Sequence, residues 1–275
     1  MNRGYDWPDR ACERTSWKNT ELHADAGKPT DRWFRIIRRG ANGGTRLICF
    51  PHAGGSASFF HDWGRLLPAG IELLAVRYPG REDRILDPLP GTMEDLAGPL
   101  ARACSTLDSK PLAFFGHSMG AVVAHEVAQR VESVMTGKLV ALFVSGCAGP
   151  AFDKSHRDPS ALSDEDLVED IQVLGGTNPA VLANPELKQL FLLALRADYQ
   201  LVANHFISPA DVIQAPIISY YGDQDEKISE ESASAWSLVT KSTFSLRRFH
   251  GGHFYLTNHS EDLVADICAH IETHR

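Results

Sequence analysis

The sequence predicts an α/β fold: a mostly parallel central sheet with helices on both faces. Three observations carry that prediction. Short, nearly continuous apolar runs recur along the chain, which is how strands buried on both faces read. These runs alternate with stretches of helical periodicity, the pattern of successive βα units. At Phe115-Gly116-His117-Ser118-Met119-Gly120 a G-x-S-x-G turn joins one such run to an amphipathic helix. At 275 residues the chain is long enough for one large domain with a full core.

Residues 1–30 are polar and aperiodic and contain Pro8, Gly27 and Pro29. They are expected to form a disordered leader, with the folded domain spanning 31–275. Strands are expected at 33–39, 46–50 and 71–76, with a short helix at 59–67 between the second and third. A helix at 92–107 has Thr92 as N-cap and Asp95 at the capping-box position. The strand beginning at Pro111 feeds the serine turn and the helix from Met119. Further strands are expected at 139–145, 216–221 and 243–249. The last helix runs from about Ser260, with Leu263, Val264, Ile267 and Ile271 on one face.

Between 145 and 216 the alternation stops. This stretch holds a helix capped at Ser163 and a longer one with Asn184 as N-cap and Pro185 at the first helical position. The longer helix carries Leu187, Leu190, Phe191, Ala194 and Leu195 at helical spacing. Loops at the C-terminal edge of an open α/β sheet build its ligand sites, so a helical insertion at about 150–210 is expected to be a lid over that edge.

The net charge of −8 argues against a nucleic-acid binder. No apolar stretch reaches the length of a membrane span, and no charged start leads into an apolar signal region. Five cysteines, Cys12, Cys49, Cys104, Cys147 and Cys268, are scattered and include no C-x-x-C. That usage fits reduced thiols and a cytoplasmic location.

A serine hydroxyl needs a base to take its proton and an acid to orient that base. The G-x-S-x-G turn presents Ser118 at the end of a strand and the start of a helix. Side chains at Gly116 or Gly120 are expected to collide with the adjoining strand and helix. The acid is sought in Gly222-Asp223-Gln224-Asp225, after the strand at 216–221. Asp225, three residues past Gly222, is preferred and Asp223 is the alternative. The base is His253, in the loop Phe249-His250-Gly251-Gly252-His253. His250 is expected to be structural or solvent-facing. The spacing of His250 and His253 would allow a metal pair, but none is expected, because no acid or cysteine stands beside them to complete a site. His117 and His125 are expected to be packing residues. The glycine-rich turn Phe50-Pro51-His52-Ala53-Gly54-Gly55-Ser56 offers backbone N–H groups that can bind an oxyanion together with the Met119 N–H. It lacks the lysine of a P-loop and the G-x-G-x-x-G spacing of a dinucleotide site.

Four segments together resemble the type II thioesterases that accompany polyketide synthases and non-ribosomal peptide synthetases. They are the turn at 50–57, Arg77-Tyr78-Pro79-Gly80-Arg81-Glu82-Asp83-Arg84, the serine turn through Ala121, and Gly251-Gly252-His253-Phe254-Tyr255-Leu256. Arg196-Ala197-Asp198-Tyr199 in the insertion is similar as well. The resemblance spans about 33–273. It implies an α/β-hydrolase fold and a triad of Ser118, Asp225 and His253, with oxyanion donors at the N–H groups of Ala53 and Met119. The family often has proline after the triad aspartate; here it is Glu226, so Asp223 stays open. The implied reaction is hydrolysis of acyl groups from the phosphopantetheine arm of an acyl or peptidyl carrier protein, clearing stalled or misprimed modules. No cofactor or metal of the protein's own is implied, and a monomer is expected. A product-releasing or cyclising thioesterase and a general carboxylesterase use the same triad and remain alternatives. Phe191 is expected to line the acyl channel. Arg77, Arg81 and Arg84 follow a strand whose end meets the site edge. They are expected to dock the acidic carrier, because the chain's own negative charge gives no long-range attraction.

Overall fold

A computed structural model describes residues 32–274, apart from 42, 108, 151, 153–161 and 175–178. The leader expected at 1–30 lies outside the described residues. Seven strands form one sheet: β1 (Phe34–Arg38), β2 (Thr45–Phe50), β3 (Ile71–Val76), β4 (Leu112–His117), β5 (Leu139–Ser145), β6 (Ile217–Gly222) and β7 (Phe244–Phe249). Their order across the sheet is β1-β3-β2-β4-β5-β6-β7. From β3 to β7 every neighbouring pair is parallel. β1 is the exception, pairing antiparallel with β3 so that Phe34 faces Val76 across the ladder. All seven strands begin within one residue of the expected positions.

The helices are α1 (Trp63–Leu66), α2 (Met93–Ser105), α3 (Met119–Val134), α4 (Asp164–Leu174), α5 (Pro179–Ala183), α6 (Pro185–Ala203), α7 (Glu230–Ser234), α8 (Tyr255–Asn258) and α9 (Ser260–His274). Strand side chains alternate between the two faces, so one strand feeds two cores. In β2, Ile48 and Phe50 join Leu96, Leu100, Val123 and Val127 of α2 and α3. Leu47 and Cys49 point the other way, to Trp63 of α1 and to Leu263, Val264, Ile267 and Ile271 of α9. Burial of these side chains on both faces is the main favourable term for the fold.

Local signals set several boundaries. Thr92 Oγ1 accepts the Asp95 N–H and the Asp95 side chain accepts the Thr92 N–H, a complete capping box. Ser163 and Asp166 repeat that reciprocal arrangement ahead of α4. Asn184 Oδ1 caps α6 by accepting from Glu186 and Leu187 at 3.0 and 3.1 Å. The single helix expected at 59–67 is instead a 3₁₀ turn, Ala57–Phe60, followed by α1. Ala57, Phe60 and Trp63 are all buried, and their spacing of three is the period of the tighter helix.

Between β5 and β6, α4 and α6 share a small apolar cluster of Leu167, Ile171, Leu192 and Leu195, with Ala53 and Phe191 packed against it. Along α6, Ala194 and Leu195 are buried, whereas Leu187 and Leu190 in its first turns are exposed.

Candidate active site

Ser118 sits between β4 and α3 with φ 54° and ψ −121°, a left-handed conformation for a residue with a side chain. Its N–H is held by the Ser145 carbonyl at 2.8 Å. The flanking glycines make this turn possible. A Cβ on Gly116 would overlap the Gly120 carbonyl, and one on Gly120 would overlap the Phe50 carbonyl at the end of β2. Both obstacles are backbone and cannot swing aside. The serine is half-buried and stands at the N-terminus of α3, where the Met119 N–H is among the amides that have no intrahelical acceptor.

The loops after β6 and β7 are knitted together. Asp223 N–H donates to Phe249 O and Gln224 N–H to Gly251 O, each at 2.9 Å. A Cβ on Gly222 would strike the carbonyls of Gly251 and Gly252, and Gly251 itself takes φ 122°. This packing brings Asp225 Oδ2 to 2.7 Å from His253 Nδ1. The Asp225 side chain is 1% exposed and that of His253 6%. The other Asp225 oxygen accepts the Lys227 N–H at 2.9 Å. Asp223 goes elsewhere, accepting the Gly251 N–H at 3.0 Å and facing His250 Nδ1 at 3.4 Å. The Gly251 hydrogen bond holds the Asp223 carboxyl below its ordinary range. His250 is thus turned to Asp223, away from any site with His253.

His52, Ala53, Ser118, His253 and Phe254 line one cleft, closed from the far side by Ile171 and Leu174 of α4 and Tyr199 of α6. Its interior measures about 30 Å³, room for little more than ordered water. In the turn after β2 the Gly54 N–H is bound by Asp198 and the Gly55 N–H by the His52 carbonyl. Phe191 is absent from the cleft wall. It sits behind the turn, where a Cβ on Gly54 would meet its ring at 2.8 Å. His117 lies under His253, ring centres 5.0 Å apart, with Nδ1 at 2.9 Å from Ser145 Oγ. Burial, and then the neighbouring His253 and His52, push its pKa well down, so it stays neutral beside His253. His125 is buried against Trp236 on the face of the sheet that α2 and α3 cover. Among the described residues no group of three His, Cys, Asp or Glu side chains is arranged to hold a metal, and no helix is long and apolar enough to cross a membrane.

The sequence profile of the thioesterase domain family matches residues 45–273, which contain every residue of this cleft. The chain belongs to that family. Relatives of this thioesterase include Thioesterase PikA5 of Streptomyces venezuelae, 36% identical over 91% of this chain and 88% of the relative. Gramicidin S biosynthesis protein GrsT of Aneurinibacillus migulanus is 30% identical, over 86% and 93%. Among solved structures, the type II thioesterase BorB from the borrelidin biosynthetic cluster superposes with a TM-score of 0.79 at 37% identity, covering 88% of this chain and 98% of BorB. The sheet order, the turn at Ser118 and these neighbours make the fold that of the α/β-hydrolases.

Three arginines of the thioesterase require a correction. Arg77, Arg81 and Arg84 do not form an exposed docking patch. Arg81 is buried, with Nη1 and Nη2 at 2.7 and 2.8 Å from the two oxygens of Asp198. Arg84 is buried too, donating to Asp87 and to the Arg77 carbonyl and lying over the Trp33 ring at 4.2 Å. Arg77 pairs with Asp83. The carboxylates and carbonyls within this loop and on α6 consume the charge that a carrier would have to meet. The cleft residues that local sequence reasoning missed are Ile171, Leu174 and Tyr199. Only the similarity of the segment 196–199 hinted at the last.

Proposed function

We propose that this thioesterase is a serine hydrolase that removes acyl groups from the phosphopantetheine arm of acyl or peptidyl carrier proteins, with Ser118 as nucleophile, His253 as base and Asp225 as the orienting acid. The observation that carries the reading is the 2.7 Å contact of Asp225 with His253 Nδ1, in a cleft that Ser118 shares. With Nδ1 donating to Asp225, Nε2 is free to take the serine proton. Ser118 Oγ attacks the thioester carbonyl carbon as that proton moves to His253. The negative oxygen is met by the N–H groups of Ala53 and Met119, each such donor contributing roughly 3 kcal/mol to a transition state of this kind. The C–S bond then breaks and the pantetheine sulfur takes the proton from His253. Water, deprotonated by the same ring, cleaves the acyl-serine to the free acid and restores Ser118. The neutral His117 beneath the ring adds no competing positive charge.

Editing of stalled or misprimed synthase modules is the role that the likeness to BorB, PikA5 and GrsT supports. The substrate arrives on its own pantetheine arm, so the protein supplies no cofactor. The narrow cleft supports reading α4 and α6 as a lid: an acyl chain needs Ile171, Leu174 and Tyr199 to part from the serine. Intact-mass analysis of a panel of acyl carrier proteins tests the reading. Loss of the acyl mass with wild-type protein and its retention with Ser118→Ala is the expected result. Turnover of oxygen esters with carrier-bound thioesters left intact would replace it by a general carboxylesterase.

A further inference from the structure

The buried pair Arg81–Asp198 holds more than itself. Asp198 lies on α6 and is 1% exposed, and its Oδ2 accepts both Arg81 Nη1 and the Gly54 N–H, each at 2.7 Å. Arg81 Nη1 also reaches the Gly55 carbonyl at 3.1 Å, and Nε the Pro79 carbonyl at 3.2 Å. One guanidinium and one carboxylate therefore tie three separate segments: the turn after β2, the loop after β3, and the helix facing the cleft. A buried ion pair is weak support for stability, since desolvation offsets most of its attraction. What it can supply is geometry, because a bidentate fork fixes direction as well as distance.

The anchored groups are the Gly54 N–H, which immediately follows Ala53, and the Gly55 carbonyl one residue further on. Gly54 takes φ 71°, a region in which the chain has few restraints of its own, and the Phe191 ring and Leu195 of α6 close over it. Asp198 belongs to the same helix. We propose that Asp198 and Arg81 are positioning residues for the oxyanion site: they hold the turn so that the Ala53 N–H faces the carbonyl attacked by Ser118, and they make that alignment depend on α6 being seated on the turn. This rests on the reading of Ala53 as an oxyanion donor. The cleft wall and the oxyanion donor are then mechanically one piece. A helix displaced from its seat withdraws the donor as well as opening the pocket.

The test uses the full chain, a small acyl-cysteamine thioester, and an alkyl boronic acid that forms a tetrahedral adduct on serine. Asp198→Asn removes the charge and forces an amide donor toward either Arg81 or Gly54. It is expected to lower kcat about 100-fold, the scale of a misplacement by about 1 Å, with KM changed by less than about threefold. The boronate inhibition constant should rise by the same factor as kcat falls, because both report the oxyanion donors. Arg81→Lys keeps a cation beside the carboxylate but loses the fork, and should give a smaller loss of about tenfold in both quantities. It carries the comparison if Asp198→Asn does not fold. A variant that is merely less heat-stable, with kcat and boronate affinity unchanged at a temperature where it is folded, overturns the proposal. So does a loss carried by KM alone. Failure of the boronate to bind the wild-type protein would instead overturn the reading of the whole site, and this inference with it.

Discussion

Replacing Asp225 by asparagine is the sharpest single perturbation of this site. The aspartate uses both oxygens: Oδ1 accepts the Lys227 N–H at 2.9 Å and Oδ2 faces His253 Nδ1 at 2.7 Å. Asparagine can keep the first contact only by turning its oxygen to Lys227. Its NH₂ then points at His253, and two donors cannot share one hydrogen bond. The ring responds by carrying its proton on Nε2, the atom that accepts from Ser118 in the proposed mechanism. A wrong tautomer of this kind costs about 10⁴-fold in kcat, or about 5 kcal/mol of transition-state stabilisation. Asp223→Asn keeps an oxygen for the Gly251 N–H and touches only the exposed His250, so a loss below about fivefold is expected. Steady-state hydrolysis of an acyl-cysteamine thioester measures both, with thermal melts confirming that each variant is folded. An Asp225→Asn protein within tenfold of wild type, or a larger loss for Asp223→Asn, refutes the argument.

Three other outcomes follow from the same coordinates. Burial lowers the His125 pKa to about 4, below its unfolded value of about 6.5, so the stability it contributes is fully present above pH 6.5 and is lost as pH falls through that window. That amounts to about 3 kcal/mol, and denaturant titrations of His125→Phe should show a flatter acid limb between pH 6.5 and 4, with the buried His117 retaining part of the slope. Thr92→Ala removes the Oγ1 that accepts the Asp95 N–H, leaving only the backbone half of the capping box, and should lower stability by about 1 kcal/mol with kcat unchanged, read by urea unfolding and turnover. Leu174→Trp narrows the cleft wall and should depress turnover of long acyl chains more than acetyl, whereas Phe191→Ala, behind the turn, should shift the chain-length profile less. A profile that responds to Phe191 and not to Leu174 would count against this assignment of the wall.

Much of the fold was legible because the strands are buried on both faces and so appear as apolar runs, with glycine and proline between them. The caps at Thr92, Ser163 and Asn184 were legible because a side chain there bonds only two or three residues onward. Ser118, Asp225 and His253, the proposed triad, could be nominated because each follows a strand end. The distinction between Asp223 and Asp225 needed the structure, since both lie in the same turn and only the path of the loop after β7 decides which meets His253. Arg81 was misread for a related reason. Its neighbours in sequence include Glu82 and Asp83, but its partner Asp198 is 117 positions away on another element. Long-range pairing leaves no periodic trace. The same holds for the antiparallel course of β1, which is defined by its pairing with β3 and not by its own composition.

The parts of the cleft come from the ends of β2, β4, β6 and β7 and from α4 and α6 between β5 and β6, so no contiguous fragment carries the whole site. His253 arrives late, and the face of the sheet that supports its loop is completed only by Leu263, Val264, Ile267 and Ile271 of α9. Chains fold as they emerge from the ribosome, N-terminal parts first. A nascent chain can therefore lay down β2, β3 and β4 and display Ser118 long before His253, the base of the proposed mechanism, has been made. In the proposed mechanism hydrolysis waits for His253 and the packing around its loop, so a chain cut short before that residue is expected to lack activity towards thioesters.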